Sequence, residues 1–293
     1  MRNFILATLF AMALVAGAAS AQVAVPKINT AGRDLATSNP ASTVWGSPSS
    51  IEVSKAQGTY TPVAGTVRGV STKESESFYG FRIVPEKGSW AFAADTTYGS
   101  YPQDQRRGSL GLKLGERLGL GFGVTTNRNQ TGLTTPSIDL TENYGGLSFA
   151  LSETFYLGYV YGREFQNDST APEEKRDFSR YGLGLRGGSD KGMMYHLEYN
   201  FDVYLPDTST SKKAGEHRSQ SVIELVFNNV LLAWERKYTS SGGGGLDLQT
   251  GTIGYSPREG FAINYFVTQG QAGPSTGNHA DISLSGVALA LLF

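Results

Sequence analysis

The side chains able to do covalent or metal chemistry are few in this sequence, and their spacing argues against most of it. There are three histidines, His196, His217 and His279, and no cysteine. Thiolate nucleophiles, thiolate metal sites and disulfides are therefore excluded. His217, in Gly215-Glu216-His217-Arg218, and His279, in Gly277-Asn278-His279-Ala280, read as loop residues. Neither stands beside a serine in a pattern that would activate a nucleophile. His196 shares an alternating row with Glu198, Asn200 and Asp202, where ion pairing accounts for it better than metal ligation, because no third ligand has metal-site spacing. The acids Asp168, Glu173, Glu174 and Asp177 lack the ordered spacing of a calcium loop and read as a solvated loop. Gly242 to Gly245 lack the strand-loop-helix setting and the lysine of a phosphate cradle. No enzyme, metal or cofactor is expected.

The row containing His196 shows what element positions these charges. From Tyr195 to Tyr204, the odd positions are Tyr195, Leu197, Tyr199, Phe201 and Val203, and the even ones are His196, Glu198, Asn200, Asp202 and Tyr204. This is the period of a strand with one apolar and one charged face. The same test puts Trp90, Phe92, Leu110, Leu112, Leu120, Phe122, Leu157, Tyr159, Leu183, Leu185, Ile223, Leu225, Ile263 and Tyr265 on apolar faces. Their partners on the other face include Arg82, Asp95, Lys113, Glu164, Arg180, Arg186, Glu224, Glu235 and Asn264. Mixed signs on one face favour ion pairs across strands; a selectivity filter is the second reading.

Both ends of the chain point to a membrane setting. Arg2, an apolar run from Phe4 to Ala16 and Ala19-Ser20-Ala21 have the layout of a secretory signal peptide over residues 1–21, cleaved after Ala21. No later stretch of about 18 apolar residues could form a spanning helix. A spanning protein would then have to be a closed barrel. Hydrophobic residues at 39%, with Gly 37, Tyr 15 and Phe 15, suit alternating strands, glycine turns and aromatic girdles. A formal net charge of −1 gives no attraction to nucleic acid. At the other end, Val287, Leu289, Leu291 and Phe293 occupy every second position up to the terminus. Together the two ends resemble the outer-membrane β-barrels of Gram-negative bacteria. The resemblance implies that Phe293, Leu291 and Leu289 are the address read by the barrel-assembly machinery, and that outer-membrane lipid surrounds the wall.

Alternation places fourteen candidate strands between residues 49 and 293, or twelve if two weak ones merge. Short turns are expected at 85–88, 115–117, 151–153, 189–192, 228–229 and 257–260. Longer polar connections are expected near 61–73, 100–107, 127–137, 167–177, 206–217, 240–245 and 270–279. The fold class is thus all-β, an antiparallel transmembrane barrel with short periplasmic turns and longer outer loops.

Glycine is concentrated on the inward face of the middle strands, at Gly111, Gly119, Gly121, Gly123, Gly158, Gly162, Gly182 and Gly184. Glycine inside a strand marks a bend or the close approach of another backbone. The expected occupant is an N-terminal hatch over residues 22–48, which lacks sustained alternation. It contains Asn39-Pro40-Ala41. An Asn-Pro-Ala in a hatch, just ahead of strand one of a fourteen-stranded barrel, is similar to the FadL family of transporters for long-chain fatty acids and hydrocarbons. The resemblance implies passive uptake of a hydrophobic small molecule. It also implies a kink in the third strand, for which Asp95 and Gly99 are the candidates, and large outer loops forming a first binding site. Here no outer loop is expected to exceed about a dozen residues, a departure from that loop site. The alternative is a general diffusion porin, or a structural surface barrel with no dedicated substrate.

Overall fold

The computed structural model describes residues 39–44, 49–85, 88–99, 103–129, 138–152, 154–168, 171–188, 193–205, 217–241, 244–255, 260–273 and 278–293. The leader expected at 1–21, and all of the 22–48 segment except Asn39 to Val44, lie outside the described residues.

Fourteen antiparallel strands build the wall. They are β1 (Ser50–Ala64), β2 (Thr72–Ile83), β3 (Trp90–Gly99), β4 (Gln103–Leu114), β5 (Leu118–Asn129), β6 (Ile138–Ala150) and β7 (Phe155–Asp168). They continue as β8 (Ala171–Gly188), β9 (Met193–Leu205), β10 (His217–Phe227), β11 (Val230–Ser241), β12 (Gly244–Tyr255), β13 (Gly260–Gly273) and β14 (Asn278–Leu292). Each pairs with the next in chain order. The sheet closes where β14 pairs with β1, from Ser50↔Leu292 to Ala64↔Asn278. A two-residue bridge, Val67–Arg68, pairs only with the end of β1 and adds no wall. Closure leaves no open edge, which is the condition for placing a sheet in hydrocarbon.

Burial is inverted relative to a water-soluble protein. Ile51, Phe122, Leu183, Tyr199 and Leu232 are among the exposed side chains, whereas Arg82, Glu52 and Glu164 are among the most buried. On β9, Leu197, Tyr199 and Phe201 face outward while Asn200 and Asp202 are buried inside. Only a wall with lipid outside and a filled interior rewards that pattern.

The short turns follow from residue type. Asn228 and Asn229 both have positive φ, 48° and 66°, as the two central residues of a type I′ hairpin require. Several outer connections are shorter than alternation predicts, because strands run on into the polar stretches. Residues 103–107, 171–177 and 270–273 are paired backbone. Above the lipid belt both faces meet water, so hydrogen-bonded pairing persists while the hydrophobic period fades. Exposed cross-strand ion pairs stand in its place, Arg163 with Asp177 at 2.6 Å and Arg236 with Asp247 at 2.8 Å.

The same extension corrects several residue assignments. His217 opens β10 opposite Val203 and Ser240, and His279 lies in β14 opposite Val63. Asp168 ends β7, Glu173, Glu174 and Asp177 lie within β8, and Gly244 and Gly245 open β12. Asp95 does not interrupt the third strand, since it pairs with Gly80 on one side and Arg107 on the other. Among the described ladders a register shift falls instead between Gln166 and Asp168.

Candidate functional site

The barrel interior begins, at the end that carries the short turns, with a face of glycines. Gly111 on β4, Gly121 on β5, Gly146 on β6 and Gly158 on β7 line it, and Pro40–Val44 lies against it as a 3-10 turn. A Cβ on Gly111 would collide with Thr43 Oγ1 and one on Gly121 with the Pro40–Ala41 backbone. A Cβ on Gly146 would meet the Asn39 amide. Higher on the same face the space is taken by the wall itself. Tyr144 covers Gly123, Phe178 and Tyr144 cover Gly162, and Asn200 covers Gly182. The glycine row thus serves close approach twice, for the Asn39–Val44 segment and for the Tyr144, Phe178 and Asn200 side chains of the wall.

Asn39 organises the turn. Its Oδ1 accepts from the Ala41 N–H at 3.0 Å, the capping geometry for which asparagine is suited. Its Nδ2 donates to the Leu147 carbonyl at 2.9 Å. Pro40 fixes φ and carries no N–H to leave unpaired. The Ser148 hydroxyl donates to the Ala41 carbonyl at 3.0 Å, and the Thr43 hydroxyl donates to the Pro40 carbonyl at 2.6 Å. The Arg82 guanidinium donates to the Thr43 carbonyl. Arg82 is therefore more than a lining residue, because it ties the turn to β2.

Above the turn lies a web of ion pairs. Arg107 grips Asp95 through two hydrogen bonds of 2.8 and 3.0 Å, and Arg180 grips Asp202 through two of 2.7 Å. Arg176 pairs with Glu164. Arg218 reaches from β10 across the interior to Glu142 on β6 at 2.9 Å and Glu164 on β7 at 3.2 Å. The Tyr204 ring lies between the Arg176 and Arg218 guanidiniums, 4.7 and 4.9 Å from its centroid. Tyr144, Val160, Phe178 and Tyr204 form a buried cluster packed among these pairs. Four arginines thus meet four carboxylates, as burial of charge demands. Lower on β9, His196 lies between Glu224, 2.8 Å from Nδ1, and Glu198, 3.3 Å from Nε2, and Asn200 donates to Glu198.

Of the residues named from sequence, Asn39, Pro40 and Ala41 lie in the interior, and Arg82, Asp95, Glu164, Asn200, Asp202 and Glu224 are buried there. Lys113, His196 and Glu198 face the same way and are half-buried. Arg186 pairs in register with His196, and its side chain lies outside the described residues. Leu289 and Leu291 face outward, and the Phe293 N–H donates to the Ser49 carbonyl at 2.9 Å, next to the closing ladder. Sequence reasoning turned Tyr204 inward beside Asp202, placed Arg107 and Arg176 in polar connections, and passed over Glu142 and Arg218. Parity with Tyr144 would have turned Glu142 inward. A contact across the lumen leaves no spacing in the sequence.

No protein-family model matches the chain, and no curated protein matches it by sequence. Solved structures do match. One is the TodX monoaromatic hydrocarbon channel in a deltaS2S3 mutant form, at 11% identity and TM-score 0.54, covering 87% of this chain and 93% of that one. A FadL homologue of Pseudomonas aeruginosa matches at 11% identity and TM-score 0.53, over 93% of this chain and 100% of that one. The Pseudomonas putida toluene transporter TodX matches at 11% identity and TM-score 0.51, over 93% and 97%. The chain has the closed barrel fold of FadL-type outer-membrane channels.

Proposed function

We propose that this protein is an outer-membrane channel through which hydrophobic small molecules diffuse without energy coupling, catalysis or a cofactor. The observation that carries the reading is the Asn39–Val44 turn, held on a glycine face inside a closed barrel whose outer belt is apolar. The names of the structural neighbours, toluene and monoaromatic hydrocarbon channels among them, support a hydrophobic cargo. Long-chain fatty acids and hydrocarbons are the two classes that the family resemblance implies.

In this reading, substrate enters from the outer end and passes beside a hatch that contains Asn39, Pro40 and Ala41. It leaves through the wall or the lumen. Phe293, Leu291 and Leu289 serve the assembly machinery, and residues 1–21 direct export. The test is uptake of labelled hydrocarbon and labelled fatty acid into vesicles holding the refolded barrel. Asn39→Ala with Pro40→Ala should change the rate while barrel abundance stays the same. A large, steady ion conductance from the intact protein, with no hydrophobic uptake, would replace this reading with a diffusion porin.

A further inference from the structure

We infer that the inner wall of β12, β13, β14 and β1, near its outer end, is the first binding surface for substrate. We further infer that it takes an uncharged hydrophobic molecule in preference to a carboxylate. The inference rests on the channel reading above and narrows its substrate class.

Register brings the surface together. One rung runs Leu248↔Gly270, Gly270↔Ile282 and Ile282↔Tyr60 across the four strands. The rung outside it runs Leu246↔Ala272↔Ala280, and the rung inside it Thr250↔Thr268↔Leu284↔Gly58. These residues share the inward parity of Thr250, Phe266 and Thr268, which are buried. Farther into the barrel the same wall carries Ala56, Ala288 and Ala290, all buried. Leu246, Leu248, Leu284 and Tyr60, by contrast, are only half-buried. Large apolar side chains on the inner face do nothing to anchor the barrel in lipid, and a water-filled pore places polar groups there. Apolar surface kept part-open toward the lumen fits an apolar ligand. The far side of the lumen, from β6 to β10, is occupied by the Arg218 web. A first site in large outer loops is replaced here by the wall itself, since the connections above it, residues 65–71, 242–243 and 274–277, are short.

The charges at the margins set the ligand's charge. On the β11 side, Lys237 and Glu235 pair with each other at 3.3 Å. On the β2 side, Glu74 stands opposite Gly58 and Glu76 opposite Ala56, with the inward parity of buried Phe78. Glu74 Oε1 accepts from the Thr72 hydroxyl, while its Oε2 is buried with no hydrogen-bond partner. A ligand carboxylate placed there would face like charge in a medium of low dielectric constant. An uncharged molecule of the same shape would not.

Naphthalene and 2-naphthoate form a matched pair for the test. The protein holds no cysteine, so Leu284→Cys carries a single environment-sensitive fluorophore on the refolded barrel in lipid nanodiscs, with empty discs as the blank. A separate variant labelled through Asn127→Cys, on β5, reports from another part of the wall. Naphthalene should shift the emission of the label at position 284 saturably and that of the label at position 127 little. Naphthoate should bind about tenfold or more weakly, a difference of about 1.4 kcal/mol. Glu74→Gln with Glu76→Gln should close that gap. Leu248→Gln with Leu284→Gln, in a barrel that keeps its heat-modifiable migration, should slow naphthalene uptake into vesicles about fivefold or more. Equal binding of the two probes, or equal shifts at both labels, would overturn the inference. If the unaltered protein takes up naphthalene and the double glutamine variant does so equally fast, the site is wrong and the channel stands. If the label at position 284 registers naphthalene but no hydrophobic compound is taken up, the site stands and the channel reading falls.

Discussion

At single residues the barrel can be tested by asking which surface a side chain meets. Leu197 faces lipid and its neighbour Glu198 faces the interior. Leu197→Arg near the bilayer midplane should cost about 2–4 kcal/mol. Glu198→Gln should cost within about 1 kcal/mol, since Glu224 still holds His196 at 2.8 Å. Refolding titrations into lipid vesicles measure both, and equal costs would mean that the faces are misassigned. Glycines give a second contrast. Gly121→Ala forces a Cβ into the Pro40–Ala41 backbone, whereas a Cβ on Gly251 meets nothing within 4 Å. The first should destabilise by about 1–3 kcal/mol as an overpacked site, and Gly251→Ala should stay within about 0.5 kcal/mol. A neutral Gly121→Ala would mean that the turn does not need the glycine face.

At the scale of elements, β10 depends on strands it does not pair with. Arg218 braces it to β6 and β7 through Glu142 and Glu164. Arg218→Ala leaves both acids short of a partner. It should cost about 1–3 kcal/mol, below the full figure for a buried pair because the arginine side chain is 27% exposed. Adding Glu142→Gln to Arg218→Ala should recover part of that loss, and the same refolding titration reads it. A loss that the second change deepens would count against the brace. Elements also show what the sequence could and could not reveal. The strands were legible wherever lipid lay on one side, because lipid enforces the period-two pattern from Tyr195 to Val203. They were illegible above the belt, where β8 continues from Asp177 back to Ala171 through polar residues that a backbone ladder accepts as readily as apolar ones. The glycine row was legible as a face needing an occupant. The Arg218 brace was not, since its partners lie 76 and 54 residues away in sequence.

For the whole molecule, the consequence is that the lumen carries two obstructions in series. The lower is the Asn39–Val44 turn on its glycine face, and the upper is the ion-pair web with the Tyr144, Phe178 and Tyr204 rings packed within it. From sequence alone, removal of residues 22–45 is expected to open a large pore. The web suggests a second barrier that the same deletion should leave in place, because it is built entirely from wall residues. In planar bilayers the intact barrel should conduct little. The barrel lacking residues 22–44 should show only a small increase, and the same deletion combined with Arg218→Ala should show a large one. A deletion that alone conducts as well as the combined variant would show that the web does not obstruct the path. In that case the hatch would be the whole barrier.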